Sequence, residues 1–204
     1  CIFSNAAYMG FPLIEALFSA EGLIYASVYV TVFNILLWTV GFGMITGTVE
    51  PKEVVRTVCT NPVLIAVVIG LVIYLCQIPV PEVIEQPLAL IGNMNTPLSM
   101  IITGMMIAGS NLAQMLCDRR ILSVMGIRML LIPAVCFALF FACGFSGMAA
   151  GVVLLLEACP SAAITSVFAV QYSYDEEFAA GSVVITTLLS IVILPVCAML
   201  LPGM

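Results

Sequence analysis

Charged residues interrupt this sequence so seldom that long charge-free stretches dominate it: residues 1–14, 22–49, 57–81, 86–117, 129–156, 158–174 and 178–204. A helix that crosses a ~30 Å hydrocarbon core needs roughly 20 mostly apolar residues. All but 1–14 and 158–174 reach that length. Soluble domains carry about a quarter charged residues, against 8% here, with 63% hydrophobic. The bilayer is therefore the expected solvent. Barrel strands would alternate apolar and polar residues over about ten positions, whereas these stretches are apolar on every side, so the expected fold class is all-α integral membrane.

Punctuation by charge, Gly and Pro places seven spans, at about 1–19, 23–47, 61–78, 84–114, 120–143, 147–171 and 178–201. Lys52 and Arg56 then fall between the second and third spans, and Arg119, Arg120 and Arg128 between or just inside the fourth and fifth. The opposite connections, around Glu21, Pro79 to Gln86 and Gly144 to Gly147, hold no Lys or Arg. The positive-inside rule makes the basic loops cytoplasmic and the C-terminus external. Position 1 is Cys and no charged signal region follows it, so further spans are expected upstream.

The segment SNAAYMGFPLIEALFSAE (4–21) resembles PSAAITSVFAVQYSYDEE (160–177) after a shift of 156 positions. Asn5 then meets Ser161, and Ala6 and Ala7 meet Ala162 and Ala163. After a one-residue slip Ser27, Val28, Thr31 and Met44 stand opposite Ser182, Val183, Thr186 and Met199. The first span would correspond to the sixth, and an odd shift of five spans inverts the copies. Inverted repeats characterise secondary transporters, whose sites lie where discontinuous helices of the two halves meet. Completing the first half would give ten spans and roughly 310 residues. On this division 1–47 closes the N-terminal repeat, 48–60 is a cytoplasmic linker, and 61–204 is the C-terminal five-span repeat.

The two short charge-free stretches are also the repeat mates. Each carries residues a uniform span would avoid: Ser4, Asn5, Gly10 and Pro12 in one, Pro160, Ser161, Thr165 and Ser166 in the other. Broken backbone at membrane depth survives only where protein buries it or a cavity meets it. The free N–H groups and positive dipole end of a half-helix there would seat a carboxylate.

At these residues the sequence resembles the auxin efflux carrier family, which includes plant auxin carriers and bacterial carriers proposed for malate or malonate. The resemblance is carried by Ser4-Asn5, Met9-Gly10-Phe11-Pro12-Leu13, Glu21 to Ser27, Phe33 to Thr39, Asn61-Pro62, Thr96-Pro97-Leu98 and Leu156 to Ala162, and it covers the whole chain. It implies ten helices in two inverted repeats, similar in fold to bile-acid symporters and sodium/proton antiporters, with two broken crossing helices. It also implies a multi-pass protein of the plasma or bacterial inner membrane that carries an auxin-like or malate/malonate-like carboxylate. In the plant carriers an Asn of the first broken helix binds the substrate carboxylate, and Asn5 matches it. The family's crossing Pro in the second falls at Thr165, with Pro160 as the nearest substitute.

The expected substrate-binding set is Asn5, Ser161, Thr165 and Ser166, each with a plainer reading. Asn5 could satisfy helix ends exposed by the nearby break or cap the following helix, and the hydroxyls could bond back to carbonyls of their own helix. Glu157 lies within a span three residues before Pro160, the pattern of a proton- or ion-coupling carboxylate. A neutral, hydrogen-bonded structural Glu is the alternative. Glu15 reads as interfacial, Arg128 as a residue snorkelling to the cytoplasmic interface, and Gly147–Gly151 as a small-residue packing pair. Asn34 and Asn93-Asn95-Thr96 read as helix glue or as caps near Pro97. Eight cysteines without His exclude Cys/His zinc sites and His triads. No cofactor, metal or nucleic-acid partner is expected, nor an enzyme, since the intramembrane acids Glu15 and Glu157 lack a His or metal-binding companion. The expected partners are a small organic anion, a proton or sodium ion, the lipid bilayer and possible second copies in a homodimer. Competing readings are a sodium-coupled symporter of the bile-acid type and a seven-span receptor, the latter predicting neither repeat nor paired breaks.

Overall fold

The computed structural model describes residues 3–46, 55, 56, 59, 60 and 62–200. Cys1, Lys52, Asn61 and most of the 48–60 linker lie outside them, and with these the test of the linker. The described residues are helical almost throughout, in the order α1 (Phe11–Leu36), α2 (Phe42–Thr46), α3 (Pro62–Leu75), α4 (Glu82–Asn93), α5 (Asn95–Ala108), α6 (Leu112–Cys117), α7 (Arg119–Gly126), α8 (Ile132–Cys143), α9 (Met148–Ala158), α10 (Ile164–Gln171) and α11 (Glu176–Leu200). Wide π turns precede α1 (Ala6–Gly10), join α1 to α2 (Leu37–Gly41) and join α7 to α8 (Ile127–Leu131). Among the described residues four helical runs are long and apolar enough to cross a membrane: Ala6–Ile45, Glu82–Ala108, Arg119–Cys143 and Glu176–Met199.

That tally differs from seven expected spans for three physical reasons. The third expected span, 61–78, is represented by α3, whose 14 residues fall short of the roughly 20 a crossing needs. The run Ala6–Ile45 holds 40 residues, about 60 Å if straight and twice the hydrocarbon core. It is interrupted at Ser19, whose φ of 56° and ψ of −156° are non-helical. The chain bends so tightly there that a Cβ on Gly22 would sit 2.4 Å from Phe18 Cβ and 2.9 Å from Ile14 Cγ2. The sixth expected span is divided instead between α9 and α10, neither of which spans alone.

The chain forms two compact units, Cys1–Ser27 with Leu98–Met204, and Val28–Pro97. The first is built around α11, against which α6, α7, α9, α10 and the Ile127–Leu131 turn pack. Met115, Ile121, Val184 and Ile185 form a buried apolar cluster in it. Approach is close at Gly181, where a Cβ would meet Ile121 Cδ1 at 2.6 Å. Helix α9 is buried on nearly every side, through Ala150, Gly151, Val152, Leu154, Leu155, Leu156 and Ala158.

In the second unit Asn34 Nδ2 donates to Val30 O of its own helix at 2.9 Å, so this Asn serves the helix that carries it. Helix α5 starts at Asn95 with Pro97 in its first turn, where a missing N–H costs nothing. In the first unit, Gly147 stands outside α9 as its N-cap with φ of 92°. Open space surrounds the position of its missing Cβ. Its role is thus conformational, which corrects the reading of Gly147–Gly151 as a close-packed pair. Glu15 is exposed.

Candidate functional site

Residues 3–5, ahead of the Ala6–Gly10 turn, meet the break between α9 and α10 inside the first unit. Ser4 pairs with Ser161 in an isolated antiparallel β-bridge. Its two hydrogen bonds run from Asn5 N to Pro160 O at 2.8 Å and from Ala162 N to Phe3 O at 3.0 Å. The crossing lies inside the protein: Ser4, Asn5, Ser161 and Ala162 are all buried. Proline dictates the second break, because Pro160 offers no N–H for a helix to continue, and Cys159 turns to an extended φ, ψ of −62°, 149°. The first stretch fits against α9 because residue 10 is Gly: a Cβ there would come within 2.4 Å of Leu156 Cδ2.

An extended segment directs successive backbone groups to opposite edges, and both edges of 159–162 are occupied. Pro160 O and Ala162 N face the first stretch. On the other edge Ser161 N donates to Thr186 Oγ1 of α11 at 3.1 Å, and Cys159 O accepts from Arg128 Nε at 3.3 Å. Thr186 Oγ1 in turn donates to its own helix, 2.7 Å from Ser182 O. Two side chains thus stand where a third strand would be.

Arg128 is the residue the sequence reading misplaced. It is only 2% exposed and pairs through Nη1 with Glu157 Oε2 at 3.4 Å, while the Glu157 side chain keeps 29% of its exposure. It points inward rather than snorkelling to an interface. The cause is local: Pro133 begins α8, and the preceding turn widens to a π turn that relieves the clash a proline makes with the carbonyl four residues back. The wider turn puts the consecutive residues Arg128 and Met129 inside, while Ile127, Leu130 and Leu131 stay exposed. An Arg five residues before a Pro, alone in the otherwise uncharged stretch 121–156, was the available signal. Thr186 was visible only as a repeat mate of Thr31.

The expected binding residues fall as follows. The Asn5 side chain makes no capping hydrogen bond to the turn it precedes, so it does not cap that helix. The Ser161 and Ser166 hydroxyls are buried and find no partner among the described residues, so neither bonds back to its helix. Thr165 lies inside α10, half-buried, with its N–H donated to Ala162 O at 3.0 Å. Helix α10 has no side-chain cap, and its N-terminus and that of the Ala6–Gly10 turn both open at the crossing. Such termini carry orphan N–H groups and partial positive charge. Among the described residues no cluster of three or more His, Cys, Asp or Glu could hold a metal ion, and the seven described cysteines are free thiols.

The model of the family described as "Membrane transport protein" matches residues 1–57 and 48–198. An uncharacterised transporter of Methanothermobacter thermautotrophicus is 25% identical over 199 residues, covering 97% of this chain and 65% of that protein. Another, from Methanocaldococcus jannaschii, is 25% identical over 195 residues, covering 93% of this chain and 63% of that protein. The chain thus spans a little under two thirds of the length of these curated relatives.

Proposed function

The chain belongs to the membrane transport protein family, and on that premise we propose that it forms the C-terminal seven of ten helices of a secondary carrier for a small organic anion. The substrate carboxylate is seated where Ser4–Asn5 crosses Pro160–Ala162. One observation carries this reading: the residues that lead into the Ala6–Gly10 turn meet the break between α9 and α10 in a buried antiparallel bridge. Irregular backbone in a membrane protein is tolerated where it lines a transport site. In support, two helix N-termini open there, the Asn5 carboxamide is not used as a cap, and Ser161 Oγ and Ser166 Oγ lack partners among the described residues.

Asn5 donates to the carboxylate, and Ser161, Thr165 and Ser166 complete the seat. Glu157, partly open and beside the break, couples the ion. The carrier lies in a plasma or bacterial inner membrane with its C-terminus outside, and its five-helix halves, divided at 48–60, are inverted repeats. The test is uptake and efflux of a labelled mono- and dicarboxylate panel by the full-length protein in proteoliposomes, with and without proton and sodium gradients. Saturable carboxylate flux is expected. Flux driven by sodium alone would favour a bile-acid-type symporter, and no carboxylate flux under any gradient would defeat the reading.

A further inference from the structure

We propose that Arg128 is a positioning residue that makes the shape of the second break depend on the charge of Glu157. The guanidinium touches both at once, with Nε on Cys159 O at 3.3 Å and Nη1 on Glu157 Oε2 at 3.4 Å. Cys159 O lies on the edge of the extended segment whose opposite edge forms the Ser4–Ser161 bridge. Arg128 is buried and Glu157 is a carboxylate within ion-pair reach of it, so neutralising that carboxylate removes a counter-charge from a buried guanidinium. When Glu157 loses its charge, by protonation or by a bound cation, the guanidinium is no longer held from that side. It then turns away from Cys159 O or draws the segment with it, and either movement reaches the bridge within two residues.

Other titratable groups near Glu157 are Cys136 of α8 and Cys159 on its own segment. Thr186 is the control. It holds the same edge through Ser161 N without hydrogen-bonding to Glu157, so it restrains the break whatever the charge there.

The inference stands on geometry and is read without substrate, so it survives or fails independently of the carboxylate reading. Amide hydrogen exchange of the full-length protein in lipid nanodiscs reports it through Asn5, Ser161 and Ala162, whose N–H groups are the bonded ones. Glu157→Gln should speed exchange of these three by roughly tenfold, the loss expected for one hydrogen bond to a charged group. Amides around Met115 and Ile121 should stay unchanged. Arg128→Lys, which keeps the charge but lacks the fork that reaches two acceptors, should do the same. Thr186→Val should speed Ser161, and Glu157→Gln should add a further increase on top of it. If Glu157 acts through Arg128, adding Glu157→Gln to Arg128→Gln should bring no further increase at Asn5 and Ala162. Unchanged exchange at the three amides in a folded Glu157→Gln protein would overturn the inference, as would a uniform rise over the whole first unit.

Discussion

Single residues at the crossing divide into those that hold the backbone and those with a group to spare. Thr186 belongs to the first kind: its hydroxyl is the acceptor for a buried N–H. Thr186→Val should therefore cost about 1–2 kcal/mol, the penalty of an unsatisfied buried donor, measured by reversible unfolding in mixed micelles. Ser161→Ala should leave stability nearly unchanged, because the hydroxyl it removes has no partner among the described residues. The same change should weaken binding if that hydroxyl serves the substrate. Asn5→Ala should weaken carboxylate binding by roughly tenfold or more with an unaltered melting temperature, since its side chain makes no cap. A melting temperature that falls in step with affinity would make Asn5 structural. These polar residues were legible in the sequence because Ser, Asn and Pro stand out in an apolar span. Thr186 was not, since one Thr in a helix looks the same whether it bonds inward or to its own turn. Arg128 was legible as a charge but not as a partner: its two contacts lie 29 and 31 residues away, and no local periodicity encodes them.

At the scale of elements, the break after α9 was anticipated from Pro160 in an apolar stretch, and its meeting with Ser4–Asn5 can be tested chemically. Residues opposite each other in a non-hydrogen-bonded antiparallel pair have Cα atoms about 4.5 Å apart, within the range a disulfide accepts. Ser4→Cys/Ser161→Cys should thus cross-link under mild oxidation in the full-length protein, whereas Ser4→Cys with Ser166→Cys should not. Equal cross-linking of both pairs would mean a collapsed or mobile crossing. The bend at Ser19 was foreseen as a boundary between spans, but its sharpness was not, because it depends on Gly22 admitting Phe18 and Ile14. Helix α7 is fastened differently. Asp118 caps it through Arg120 N at 2.8 Å and pairs with Arg120 Nη2 at 2.9 Å. Arg120 also reaches Asp175 before α11 at 3.1 Å. The Arg120 side-chain hydrogen bond, helped by the backbone one, holds the Asp118 carboxyl below the usual carboxylate value. Its stabilisation is therefore present above the unfolded pKa of about 3.9 and is lost as pH falls through the lower folded value. The stability gap between the parent and Asp118→Ala should be constant at neutral pH and close only below about pH 4.

For the whole molecule, the distribution of basic residues predicts which ends of the spans face the cytoplasm. Cys59, Cys76, Cys117 and Cys143 are all exposed, so an impermeant thiol reagent can report it. Labelling from outside should favour Cys76 and Cys143 over Cys59 and Cys117, and strong outside labelling of Cys117 with none at Cys76 would overturn the orientation. Membrane character and helical class were readable from charge spacing alone, since a bilayer leaves few alternatives. The grouping into units was not, because it rests on which apolar faces meet, and in an apolar span every face looks alike.

The bridge between Ser4 and Ser161 also has a temporal side. Its partners lie 157 positions apart, from 4 to 161, and a ribosome adds about 5–20 residues per second. For roughly 8–30 s at that rate, the amide of Asn5 and the carbonyl of Phe3 exist without the strand that will receive them. During synthesis the first break must shelter in the translocon, at the interface or against bound water, and it closes only once the second has emerged. A truncation just before Pro160 should leave a nascent chain whose early segment is still accessible to protease, and extension past Ala162 should be the point at which that access ends.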